Sequence, residues 1–90
     1  MAPYSRAVPL FMDIHNKIEG LTADAVTAAH QADLEMQQHY GVRFVRYWFD
    51  ERTGKVFCLS GAPNAEAVLE VHRAAHGLLA DEVVEVSEGR

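Results

Sequence analysis

The segment His72-Arg-Ala-Ala-His76 places two imidazoles four residues apart. On a helix, one turn would separate them on a common face, and both could reach a single ion. The pair falls short of a zinc-protease motif, because Arg73 stands where the glutamate after the first histidine would be. Such an isolated pair is more often a hydrogen-bonded polar edge than a ligand pair. Cys58 is the single thiol. On a strand a lone cysteine more often serves as a small buried hydrophobe, and no glycine-rich elbow surrounds it to build an oxyanion hole.

Further pairs are weaker. His30-Gln-Ala-Asp33 sets an imidazole and a carboxylate one helical turn apart, with Asp33 able to ligate or to orient His30. Asp13-x-His15 makes a similar pair on a strand, while His39, in a polar Gln-Gln-His run, reads as solvated. The sum is more telling than any part. Five histidines and one thiol in 90 residues exceed the needs of a small core, and His15, His30, His72 and His76 all belong to spaced pairs. Imidazole with thiolate suits nickel, zinc or copper and argues against calcium or magnesium as the natural occupant.

These residues must be held by a small domain. Val8 to His15 reads as a strand with Pro9 near its start. Its alternation is expected to turn Leu10, Met12 and Ile14 to the core, with Asp13 and His15 sharing the other face. A helix is predicted from Thr22, with an apolar stripe through Leu21, Ala25, Ala28/Ala29, Ala32, Met36 and Tyr40, closed by Gly41. Val42–Asp50 and Lys55–Gly61 flank the turn signal Glu51-Arg-Thr-Gly54 and predict a β-hairpin. In its second arm Val56, Cys58 and Ser60 share a face. Asn64 is a candidate cap for a second helix carrying Ala65, Val68, Leu69, His72, Ala75/His76 and Leu79, which Gly77 ends or loosens. A last strand spans Glu82 to Ser87.

The order β-α-β-β-α-β predicts an α+β, ferredoxin-like fold: a four-stranded antiparallel sheet with two helices on one face. Residues 1–7 read as a flexible leader and 8–88 as the single domain. The first and third strands should be central neighbours, which puts Cys58 beside the first strand. His15, at one end of that strand, could lie far from His76; two sites, or one completed across a dimer, would accommodate this. The open sheet face is expected to carry Phe11, Trp48, Val56 and Val83 and to form a homodimer interface. An alternative uses that face as the small-molecule cavity of a dimeric α+β barrel enzyme, lined by Asp13, His15, Arg46 and Trp48. A plain dimerisation module is a third reading.

Composition narrows the partners. Thirteen acidic residues against eight basic ones give a net charge of −5, and the basic residues are scattered singly. Nothing resembles the footprint that displaces counterions from nucleic acid. No apolar run is long enough to span a membrane, and the first residues lack the features of a secretory signal. With one cysteine and no possible internal disulfide, the cytoplasm is the expected compartment.

Four stretches together carry a resemblance: Arg46-Tyr-Trp-Phe-Asp50, Lys55-Val-Phe-Cys-Leu59, Ala62-Pro63 and Val71-His-Arg-Ala-Ala-His-Gly77. From about Pro9 to Val86 the chain resembles the small actinobacterial nickel-binding proteins, a ferredoxin-like family otherwise of unknown function. The resemblance implies a dimer that binds nickel and sequesters it, and the chain reads as a protein for nickel sequestration or homeostasis without catalytic turnover. It implies Cys58, His72 and His76 as ligands, with His15 and His30 as weaker additions.

Overall fold

The computed structural model describes residues 8–89, so the expected leader at 1–7 lies outside the described residues. Its elements run β1 (Leu10–His15), α1 (Ala23–Met36), β2 (Arg43–Asp50), β3 (Lys55–Gly61), α2 (Ala65–Ala75) and β4 (Glu82–Val86). A short 3-10 turn, Gln37–Tyr40, extends α1. The strands form one antiparallel sheet in the order β2-β3-β1-β4. This is the ferredoxin-like α+β fold expected, with β1 and β3 as central neighbours. Asp13 stands opposite Cys58 on one side and Val83 on the other.

Local chemistry explains where the helices begin and end. The Thr22 hydroxyl accepts the Ala25 N–H at 3.1 Å, and the Asn64 side chain accepts the Ala67 N–H at 2.9 Å. Each satisfies one of the donors that a helix start leaves unpaired. Gly77 ends α2 with φ of 78°, and its N–H returns to the His72 carbonyl at 2.8 Å. The chain therefore leaves the helix before Leu79, which was expected on its stripe but lies beyond it, exposed. On α1 the buried positions are Val26 and Asp33, whereas Ala25 and Ala28 of the expected stripe are exposed.

The face of the sheet that the helices cover is the reverse of the expected one. Phe11, Asp13 and His15 are buried, while Leu10, Met12 and Ile14 are only half-buried. Phe11 joins Phe44, Val68 and Val71 in the main core, and Val83 packs against them. Val56 and Cys58 pack with Leu21 and Val26 in a second cluster. Phe11, Val56 and Val83 therefore do not belong to the open face. Leu10, Met12, Arg46, Trp48 and Leu59 line a groove there instead. A period of two assigns residues to two faces without saying which is inner. Burying Asp13 and His15 is tolerable only because the helices bring polar partners to them.

Candidate metal centre

Between sheet and helices, polar side chains from four elements converge on the inner face. Asp13 and His15 come from β1, Cys58 from the facing position of β3, Asp33 from α1, His72 from α2 and His76 from the cap that ends it. His72 Nδ1 donates to Asp33 Oδ1 at 2.9 Å. The same oxygen lies 3.1 Å from His76 Nε2. On the other side of the ring, His72 Nε2 approaches Asp13 Oδ1 at 3.1 Å, and His15 Nε2 reaches that oxygen at 3.4 Å. The result is an alternating chain of His76, Asp33, His72, Asp13 and His15. A cavity of about 60 Å³ adjoins it, lined by His15, Asp33, Cys58, His72 and His76 among apolar side chains.

Burial makes the electrostatics severe. Asp13 is fully buried, and His72 is 1% exposed. A charge taken out of water costs several kcal/mol unless it is paired. Burial by itself would raise the carboxyl pKa of Asp13, but the contacts with His15 and His72 outweigh it and hold the group below the ordinary range. Asp33 behaves alike, held down by His72 and His76 against the effect of burial. For His72, burial favours the neutral ring, yet the two flanking carboxylates push its pKa up to about 9. Cys58 is driven well above the usual thiol range, first by burial and then by the negative charges of Asp13 and Asp33. Burial and the two carboxylates together keep Cys58 a thiol at neutral pH.

The network is incompletely satisfied. The His72 Nε2–Asp13 Oδ1 approach is an ion-pair contact without the alignment of a hydrogen bond. Consequently His72 Nε2, both carboxylate oxygens of Asp13 and the Ser60 hydroxyl are buried without a hydrogen-bond partner. Orphaned atoms of this kind ask for an explanation, and a role in binding a cation is one. Two donor groups have ligand atoms within 4.8 Å of one another: Asp13 with Cys58 and His72, and Asp33 with His72 and His76. Nitrogen and sulfur donors bind a transition metal at about 2.0–2.3 Å, which sets neighbouring ligand atoms a few ångströms apart, as they are here. The mixed N, O and S set fits nickel, zinc or copper.

Cys58, His72 and His76 are thus brought to one cavity, and Cys58 faces the helices. His15, which could have lain far from His76, sits with its ring 5.4 Å from that of His72. His30 lines the cavity wall but joins neither donor group, and its ring packs 4.5 Å from Tyr47. Asp33 hydrogen-bonds to His72 and approaches His76, with its charge still felt at His30, whose pKa burial lowers. Spacing on α1 pointed Asp33 at His30 and missed a partner 39 residues away, His72. Asp13 carried a signal in Asp13-x-His15, but it was assigned to the open face. There the groove of about 420 Å³ holds Arg46 and Trp48 without Asp13 or His15. The barrel-enzyme reading thereby loses its acid–base pair. His39 is exposed, as expected.

Comparison with known proteins follows the same line. Residues 11–86 match the family model described as "Nickel responsive protein SCO4226-like". A crystal structure of SCO4226 from Streptomyces coelicolor A3(2) is similar, with a TM-score of 0.84 and 43% identity, over 90% of this chain and 99% of that one. Comparison with curated proteins returned no match. No helix among the described residues is long and apolar enough to cross a membrane. A family match over most of the chain and a closely similar fold agree: this chain belongs to the SCO4226-like family of nickel responsive proteins.

Proposed function

We propose that this protein binds a divalent transition metal, nickel first among them, and holds it for sequestration or homeostasis. One observation carries the reading: His72 Nε2 and both oxygens of Asp13 are buried without a hydrogen-bond partner beside the Cys58 thiol. Cys58, His72 and Asp13 are the proposed inner ligands. His15, against Asp13, can complete the set, and His76 closes the outer side through Asp33. His30 contributes to the wall. A bound cation would oppose the carboxylate charges that keep Cys58 protonated, so that thiolate forms on binding. Zinc and copper suit the same donors. The family description supports nickel.

A holding role accords with a cavity of about 60 Å³, far below the several hundred ångströms cubed that organic ligands occupy. The open sheet face, with Trp48 46% exposed, is the proposed homodimer surface, and the cytoplasm is the proposed compartment. The test is titration calorimetry of untagged, metal-free protein with nickel and zinc. Stoichiometric binding that Cys58→Ser weakens at least tenfold is expected. Protein that ignores both ions would overturn the proposal.

A further inference from the structure

His72 of α2 and His76, the residue that caps it, each turn one ring nitrogen to a single oxygen, Asp33 Oδ1. His76 Nδ1 accepts the Leu78 N–H at 3.0 Å, so in its neutral form the ring proton sits on Nε2, 3.1 Å from Asp33 Oδ1. His72 Nδ1 donates to the same oxygen at 2.9 Å, in an aligned and buried hydrogen bond. Its other nitrogen, Nε2, has no hydrogen-bond partner and faces Asp13 in the group that includes Cys58. The ring is therefore held by one edge and open at the other. Asp33 itself is fixed by burial between the helices, 3% exposed.

We infer that Asp33 is a positioning residue: its carboxylate holds His72 with the proton on Nδ1 and presents the Nε2 lone pair to a metal ion shared with Asp13 and Cys58. The inference rests on the proposed metal-binding reading and deepens it. A carboxylate behind a ligating imidazole fixes the tautomer and ring orientation and raises ligand basicity. The geometry distinguishes this role from direct ligation. Asp33 Oδ1 already accepts the aligned His72 hydrogen bond, whereas neither oxygen of Asp13 has a hydrogen-bond donor aligned to it. His76, held between Asp33 and the Leu78 amide, steadies the carboxylate rather than the ion.

Zinc, being diamagnetic, is the probe. Nitrogen-15 NMR of the zinc-loaded wild-type protein is expected to find His72 ligated through Nε2 with a proton on Nδ1. Asp33→Asn keeps the size and removes the charge; it should weaken zinc binding by roughly 10- to 100-fold at unchanged stoichiometry. The thiolate-to-metal absorption of the cobalt form should survive in that variant, and Asp33→Glu should recover part of the affinity. Ligation through Nδ1, an affinity change in Asp33→Asn below threefold, or loss of stoichiometry in that variant would overturn the role. All three would leave metal binding by the wild-type protein intact. A wild-type protein that takes up no zinc would sink both readings together. Should Asp33→Asn fail to fold, the tautomer in the wild-type protein decides alone.

Discussion

Asp13 of β1 and His72 of α2 meet at 3.1 Å, Oδ1 to Nε2, where neither side chain is more than 1% exposed. A carboxylate at the centre of a sheet and an imidazole on the covering helix are each costly alone. Together they let the sheet bury a polar row, and they explain why the inner face of β1 alternates Phe11, Asp13 and His15.

Removing His72 should therefore damage the fold as well as metal binding. His72→Ala leaves Asp13 and Asp33 without their shared partner and is expected to cost roughly 3–5 kcal/mol. His72→Gln, which keeps a donor, should cost less. Urea unfolding of the metal-free variants measures this. Equal stability of His72→Ala and wild type would refute the pairing as a source of stability. Replacing His72 and His76 together would accordingly be a poor probe of ligation.

Stability should depend on pH from both sides. The folded pKa of His72 lies near 9, above its ordinary 6.5, so its contribution is complete below about 6.5 and lost as pH rises through 9. That loss is about 3 kcal/mol. Asp13 and Asp33 are shifted downward, so their contribution is present above the ordinary carboxylate pKa and lost as pH falls through the folded values. Melting temperature of the metal-free protein should peak between these limits. A melting point still rising from pH 7 to 10 would contradict the shift at His72.

Metal affinity should run the other way over the same alkaline range. Binding at His72 and Cys58 displaces protons, so affinity should increase from pH 6 to pH 8. Calorimetry in buffers of different ionisation enthalpy would reveal the released protons. Binding with no proton release would exclude Cys58 thiolate and His72 as ligands.

Cys58 should be inert in the native metal-free protein. Its thiol is buried, and its pKa is raised by burial and by the nearby carboxylates. Modification by a disulfide reagent at pH 7.5 should be at least 100-fold slower than in urea. Comparable rates would mean that the cavity opens freely.

The open face can be tested independently. Trp48→Glu is expected to convert a homodimer to a monomer in light scattering while leaving nickel stoichiometry at the buried centre unchanged. A wild-type protein monomeric at 0.1 mM concentration, roughly, would remove the proposed interface.

Much of this architecture is legible in the amino-acid sequence. The hairpin followed from β-branched and aromatic runs around Glu51–Gly54, the helix starts from Thr22 and Asn64, the end of the second helix from Gly77, and the place of Cys58 beside the first strand from the β-α-β-β-α-β order. Period two correctly grouped Asp13 with His15 and Cys58 with Val56 and Ser60. Local chemistry suffices for these, because propensity, capping and alternation act within a few residues. The choice of inner face did not follow. Apolar character favoured Leu10, Met12 and Ile14, but the helices pack on Phe11, Asp13 and His15. Only tertiary structure could decide it, because the cost of burying Asp13 is offset by His72, 59 positions along the chain. Asp33 likewise passes over its sequence neighbour for two histidines of another helix. Spacing along the chain reports which side chains share an element's face; which faces meet depends on the packing of whole elements, where distant charges neutralise one another.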